Sequence, residues 1–262
     1  MFRRIFGRQR QDTGPETPRV NGAPARVPAG VRLYVIGDVH GRIDLLQGLE
    51  DLILADIEAS PRRLAPYAVY LGDYVDRGFE SRRVLDHLIE RPLPGFTTVH
   101  LLGNHDAWLR DFVVAADAGP SWVRFGGDAT LMSYGIKLDM QRPEEERFVE
   151  ASELLGARIP DSHLDFLHHL EVGFSFGDYF FCHAGVRPEV PLERQIEPDL
   201  IWIREPFLRW QGDCGKVVVH GHTVEQEPVV RHNRIGIDTG ACWTNVLTCL
   251  VLEGDQHRFL ST

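Results

Sequence analysis

Nowhere in these 262 residues does an apolar run approach the roughly 20 residues that a membrane-spanning helix needs. The opening stretch MFRRIFGRQR has no long apolar core and no small-residue cleavage site, so it makes a poor signal peptide. Cysteine is scarce: Cys182, Cys214, Cys242 and Cys249, with no C-x2-C pair. They read as reduced, mostly buried thiols of a cytoplasmic protein. Positive charge is in short supply. Lys and Arg number 28 against 38 Asp and Glu, for a net charge of −10. That balance lacks the basic footprint of a nucleic-acid partner. It would also repel phosphate esters, so any phosphate chemistry here needs a local cationic site. No repeat of solenoid period is visible.

What is present is ordinary globular composition, 43% hydrophobic and 25% charged, with one atypical end. Residues 1–30 hold six arginines, two acidic residues and prolines at 15, 18, 24 and 28. This reads as a flexible basic tail rather than a membrane anchor, although Phe2, Ile5 and Phe6 could touch an anionic surface. From residue 31 to 262 a single catalytic domain is expected. Its first part alternates strand and helix: apolar runs at 31–36, 67–71 and 97–102, with helical patterns around Leu45–Ile57, Val84–Ile89 and Trp108–Val113. That is the signature of parallel βαβ units. Residues about 117–170 lose the alternation and read as a helical insertion. Strands are expected again at 172–182, 216–220, 228–237 and 246–252. The fold class is therefore α/β, two packed mixed sheets flanked by helices.

Each of the three early strands ends in Gly followed by Asp or Asn: GDVHG at 37–41, GDYVDRG at 72–78 and GNHD at 103–106. Sites in such sheets form beyond the carboxyl ends of the strands. Asp38, His40, Asp73, Asp76, Asn104 and His105 should thus converge. Residues two apart in an extended segment face one side, so Asp38 and His40 can reach one ion together. His183, in HAG, and His222, in HGHT, sit at later strand ends. Oxygen and nitrogen donors without thiolate suit Mn²⁺, Fe or Zn²⁺ better than a closed structural zinc site. The donors are too many for one tetrahedral ion but fit two ions sharing a carboxylate, an arrangement that clamps phosphoryl oxygens. Two divalent ions, two aspartates (Asp38 and Asp73) and a hydroxide leave a net +1, and Arg77 adds to it. Asn104 as a neutral ligand preserves that charge.

GDVHG, GDYVDRG, GNHD, HAG and GH, in this order over about residues 31–240, resemble the phosphoprotein phosphatase family of calcineurin-like metallophosphoesterases. WIREP at 202–206, together with Trp122, Gly126–Gly127, Thr130–Leu131 and Ser133–Gly135, resembles its bacterial serine/threonine branch. The resemblance implies two divalent metal ions, foremost Mn²⁺, with Asp38 and His40 on the first, Asp73 bridging, and Asn104, His183 and His222 on the second. It implies that a metal-bound hydroxide attacks, with no phosphoenzyme, while Arg77 holds phosphate oxygens. His105 then protonates the leaving alkoxide, oriented by Asp76. Arg204 matches a second phosphate-binding arginine, a role for which Arg187, Arg209 and Arg231 compete; Asn104 also lies within reach of phosphate. The usual GNHE is here GNHD, and Asp106 is not an expected ligand.

The implied activity is hydrolysis of phosphoserine or phosphothreonine in a phosphoprotein or phosphopeptide. Hydrolysis of a dinucleoside tetraphosphate is the alternative, and a non-catalytic phosphate-sensing scaffold is disfavoured because no expected position is lost. Other features read as structural. His163, His168 and His169 fall on a solvated helix face, Phe174, Phe176, Phe180 and Phe181 are sheet core, and Glu144–Glu146 is a solvated helix start. His220 is a neighbour of the metal ligands or faces solvent.

Overall fold

The computed structural model describes residues 17–90 and 93–262. In chain order the elements are a hairpin of β1 (Arg19–Val20) and β2 (Ala23–Pro24), then β3 (Val31–Ile36), α1 (Ile43–Glu58), β4 (Ala65–Tyr70), α2 (Ser81–Glu90), β5 (Thr97–His100) and α3 (Asn104–Val114). A run of short helices follows: α4 (Gly119–Trp122), a π turn (Val123–Gly127), α5 (Asp128–Ser133), α6 (Glu144–Arg158) and α7 (Asp161–His168). The second part holds β6 (Phe174–Phe176), β7 (Tyr179–Phe181), α8 (Glu197–Trp202), β8 (Val217–His220), β9 (Val229–Val230), β10 (Arg234–Gly236), α9 (Ala241–Thr244), β11 (Thr248–Glu253) and β12 (Gln256–Ser261).

Two five-stranded sheets result, ordered β12-β11-β3-β4-β5 and β6-β7-β8-β10-β9. β3, β4 and β5 pair in parallel and β11 runs antiparallel to β3. Alternation along each strand decides which layer a side chain enters. Leu33 and Val35 of β3, Leu250 and Leu252 of β11, and Val217 and Val219 of β8 pack between the sheets. Tyr34 and Ile36 of β3 face the helices α1 and α2 and the insertion. On the far side of the second sheet, Phe180 and Val218 pack against Leu200, Ile201 and Phe207. Truncating one of these fully buried leucines to Ala costs about 2–5 kcal/mol.

Several expectations need correction. Of the tail expected over 1–30, residues 17–30 are folded: Ala25 and Val27 are buried between the sheets, and Asp178 caps Arg26 N at 2.9 Å. Those two apolar side chains, with backbone bonds such as Arg19 N to His232 O and Val27 N to Gly254 O, dock a stretch that composition alone marks as tail. The remainder, 1–16, lies outside the described residues. The last strand, β12, was not expected, because Gln256–Ser261 alternates only weakly. His163 does not lie on a solvated face. It is buried between Tyr134 Oη at 2.7 Å and Asp86 Oδ1 at 2.9 Å. The phenylalanines at 174, 176 and 181 join the inter-sheet core and Phe180 the outer one. Glu144–Glu146 opens α6 exposed.

Candidate active site and metal centre

The ends of β3, β4 and β5 are tied to one another by backbone contact as well as by side chains. A Cβ on Gly103 would lie 2.2 Å from Asp73 N, and one on Gly78 would lie 2.3 Å from His40 O. Only glycine lets these turns approach so closely. The side chains of the cluster sit on strained backbone. His40, Asp73, Asp76, Arg77 and His222 all have positive φ, five of the eight such non-glycine residues among those described. Each costs on the order of 1–3 kcal/mol, which the surroundings must hold. Asp106 does much of that holding. Its carboxylate accepts from the backbone N–H groups of Asp73 (2.7 Å), Tyr74 (2.9 Å) and Gly103 (3.0 Å). The aspartate of GNHD thus ties two strand ends together and caps α3. The cap position itself is Gly103, and Asn104 is the first residue of the helix.

Asp73 stands at the centre and divides its carboxylate between two sets of histidines. His40 Nε2 lies 3.4 Å from Oδ2, and His183 Nε2 lies 3.4 Å from Oδ1. Both imidazoles are oriented from behind: His40 Nδ1 donates to Val75 O at 2.8 Å, and His183 Nδ1 to Leu71 O at 2.9 Å. That fixes the tautomer and turns the Nε2 lone pairs inward, as metal-ligating histidines require. Asn104 Oδ1 is 3.0 Å from His183 Nε2. Two groups bring ligand atoms within 4.8 Å of one another: His40, Asp73 and His105, and Asp73, His183 and His222.

Among the expected Asp and His ligands, Asp38 joins neither group. Its Oδ2 accepts from His222 N at 3.0 Å. Its Oδ1 lies where a Cβ on Gly221 would be, 2.0 Å away, which explains the glycine between His220 and His222. Asp38 Oδ1 and His222 Nε2 are buried without a hydrogen-bond partner.

The electrostatics ask for cations. Burial, then Asp238 and Asp73, push the Asp38 carboxyl well above its usual range. Burial works against charge on Asp73, but His183, His105 and His40 hold its carboxyl well below normal. Burial also opposes charge on His183, yet Asp73 and Asp38 raise it to about 9. Unpartnered buried acceptors beside inward-facing imidazole lone pairs form a donor set that fits divalent ions. Asp38, His40, Asp73, Asn104, His183 and His222 are the residues present to hold them.

Arg77 reaches into this cluster. Its guanidinium contacts His40 Nε2 and donates to His105 Nε2 at 3.0 Å, and it rests on the Trp243 ring at 4.7 Å. His105 Nδ1 donates to Asp76 Oδ2 at 2.6 Å. Arg204 is exposed, within 3.5 Å of Thr223 Oγ1, and its charge is felt by His222. Its rivals Arg187 and Arg209 are paired with Asp199 and Glu205. His220 is buried, with Nδ1 3.0 Å from Gly221 O.

Sequence reasoning missed Asp238, which follows Gly236–Ile237 at the end of β10. It too lies just past a strand end, but one residue later, with Ile237 between the glycine and the acid. It also missed Trp243 under Arg77 and the aromatic neighbours of His105. Trp108 is 5.3 Å from the His105 ring, and Phe125 and Trp202 pack on Trp108 at 5.5 and 4.6 Å. Trp202 opens the WIREP motif, but no motif marks Trp108, Phe125 or Trp243, because aromatic residues at helical spacing are usually core.

The chain is similar to several known proteins. It is 35% identical over 220 residues to serine/threonine-protein phosphatase 2 of Escherichia coli K12, covering 80% of this chain and 87% of that protein. It is 25% identical over 239 residues to the asymmetrical bis(5'-nucleosyl)-tetraphosphatase PrpE of Bacillus mycoides, covering 82% and 88%. A solved cold-active protein tyrosine phosphatase superimposes with a TM-score of 0.56 at 16% identity, covering 95% of this chain and 88% of that one, a likeness of fold alone. The description "Calcineurin-like phosphoesterase" matches residues 31–244. With that match spanning most of the chain and its strand-end motifs gathered at one buried cluster, the protein belongs to the calcineurin-like metallophosphoesterase family.

Proposed function

We propose that this protein is a serine/threonine protein phosphatase that hydrolyses phosphomonoesters with two divalent ions, Mn²⁺ foremost. The observation that carries the reading is a pairing within one buried cluster. A carboxylate shared by two sets of histidines, Asp73, lies beside an imidazole, His105, whose other nitrogen is bound to Asp76 at 2.6 Å. Bound divalent ions would supply charge neutralisation and water activation at Asp73. The chain's own groups do the rest. Arg77 and Arg204 hold phosphoryl oxygens, and Asn104 reaches the same space. With its Nδ1–H held by Asp76, His105 offers Nε2 to the leaving oxygen. Protonated on both ring nitrogens, with Arg77 turned from Nε2 to the phosphate, His105 gives its Nε2 proton to the departing oxygen as water adds to phosphorus and the ester P–O bond breaks, so the alcohol leaves and inorganic phosphate remains. An alkoxide is a poor leaving group, so a positioned acid is worth about 10²–10⁴-fold.

The 35% identity to an E. coli serine/threonine phosphatase supports the protein substrate. The relatives named as tetraphosphatases support the second reading, asymmetrical hydrolysis of a dinucleoside tetraphosphate. All four thiols are free, which suits a reducing cytoplasm. Among the described residues no helix is long and apolar enough to cross a membrane. The test is a substrate panel assayed with Mn²⁺ and with chelator. The proposal expects kcat/KM to favour phosphoseryl or phosphothreonyl peptides and activity to vanish with chelator. A large preference for the dinucleoside tetraphosphate selects the second reading.

A further inference from the structure

Asp76 is fully buried, and its carboxylate is bound on every side. Oδ1 accepts from Thr130 Oγ1 at 2.6 Å, and Oδ2 accepts from Trp122 Nε1 at 2.7 Å and His105 Nδ1 at 2.6 Å. Its backbone N–H donates to the same Thr130 Oγ1 at 2.9 Å and to Ser81 Oγ at 3.0 Å. Trp122 and Thr130 are themselves fully buried, and both belong to the helical insertion. Trp122 ends α4 and Thr130 lies in α5, on either side of the π turn. The turn is built to let them meet the carboxylate. A Cβ on Gly127 would lie 2.4 Å from the Trp122 ring, and Gly126, at φ 110, accepts from Arg77 N at 3.1 Å.

We propose that Trp122 and Thr130 are positioning residues for proton delivery. They lock the Asp76 carboxylate in one rotamer, so that His105 presents Nε2 to the leaving oxygen. The inference rests on the reading of His105 as the acid. Indole N–H and threonine hydroxyl are neutral donors with one hydrogen each. They fix the carboxylate without cancelling its charge, which stays available to His105. Without either donor, the carboxylate gains a free acceptor site in a dry pocket and turns toward another partner. The imidazole follows it, and Nε2 loses its aim. An insertion outside the strand-end motifs thereby becomes the outer support of the acid.

The experiment compares two kinds of leaving group on the Mn²⁺-loaded, full-length protein. Phosphoserine peptide leaves as a basic alkoxide that needs the proton, whereas 4-nitrophenyl phosphate leaves as a stable phenolate that needs it little. Variants are H105N as reference, T130V, T130S and W122F. H105N should lose peptide turnover far more than 4-nitrophenyl phosphate turnover. T130V and W122F should follow in the same sense, with kcat on peptide down roughly tenfold or more, the worth of one hydrogen bond to a charged group. Their KM and their Mn²⁺ content per chain should be unchanged, and T130S, which keeps the hydroxyl, should recover most of the kcat. Equal losses on both substrates in T130V and W122F, or no loss, would overturn the proposal while H105N stays selective. If H105N itself lowers both substrates equally, the acid reading fails first. Should W122F not fold, the T130V and T130S pair carries the test alone.

Discussion

Asp73 and Asp76 stand three residues apart in one turn, both buried, yet their pockets are opposites. Around Asp73 gather lone pairs: Nε2 of His40 and of His183, with the unpartnered Asp38 Oδ1 and His222 Nε2 nearby. Around Asp76 gather hydrogens, from Trp122, Thr130 and His105. The first pocket draws positive charge from Arg77 and from His183, raised to about 9, yet still leaves Asp38 Oδ1 and His222 Nε2 without partners, which bound cations would supply. The second is complete as the chain makes it. Burial penalises both carboxylates, but histidine neighbours drive Asp73 well below its ordinary range, whereas Asp76 is left raised. On the proposed reading a single motif holds one carboxylate for metal and one for a proton donor, and the surroundings decide which is which.

The sharpest way to break this contrast is to remove Asp73, the proposed shared ligand. Asp73→Ala should abolish binding of both ions and lower kcat/KM by roughly 10³-fold or more, since each metal supplies several kcal/mol of charge stabilisation. Metal analysis after dialysis, alongside the assay, checks it; a variant that keeps both ions would place the bridge elsewhere. Next in size, His105→Ala should cut peptide turnover by about 10²–10⁴-fold while both ions remain bound. Loss of the ions in that variant would make His105 a ligand, as its grouping with His40 and Asp73 allows.

Gly126→Ala tests the seam between the pockets. Its Cβ would meet Arg77 Cγ at 2.8 Å and Arg77 N at 2.9 Å, at a φ of 110. Displacing Arg77 should raise KM about tenfold, and the backbone strain should cost about 1–3 kcal/mol in chemical denaturation. An unchanged KM would detach Arg77 from phosphate binding. The smallest effect comes from a buried group outside both pockets. Burial alone lowers His100 to about 4, among the rings of Tyr70, Tyr74 and Phe166. The folded state prefers its neutral form, so that contribution is whole above pH 6.5 and lost as pH falls from about 6.5 to 4. The melting temperature of metal-free protein should fall across that window, and less steeply in His100→Phe. Equal slopes would show that burial without partners does not govern acid sensitivity here.

The two pockets differ also in how far the sequence revealed them. The Asp73 pocket was legible because its parts repeat: strand, glycine, then Asp or Asn, three times over. Parallel order places such ends side by side, as β3, β4 and β5 do. Asp238 also follows a strand, β10, but was passed over because Ile237 separates it from Gly236 and the Gly-Asp pair is absent. The near partners of Asp76 were legible only in part. His105 comes from a strand end, but Trp122 and Thr130 come from the insertion. There the π turn breaks helical spacing, so no periodicity shows which side chains point inward. Residues 17–30 were misjudged for a similar reason. Prolines and arginines announced a tail, while two small apolar residues, Ala25 and Val27, and backbone bonds to Gly254 and Asp178 dock it.

The contrast between the pockets is most directly tested by Mn²⁺ stoichiometry, measured by equilibrium dialysis and elemental analysis on wild type, Asp73→Asn and Asp76→Asn. The account predicts two ions per chain in wild type and in Asp76→Asn, and loss of both in Asp73→Asn. Asp76→Asn shedding its ions as Asp73→Asn does, or Asp73→Asn keeping both, would contradict it.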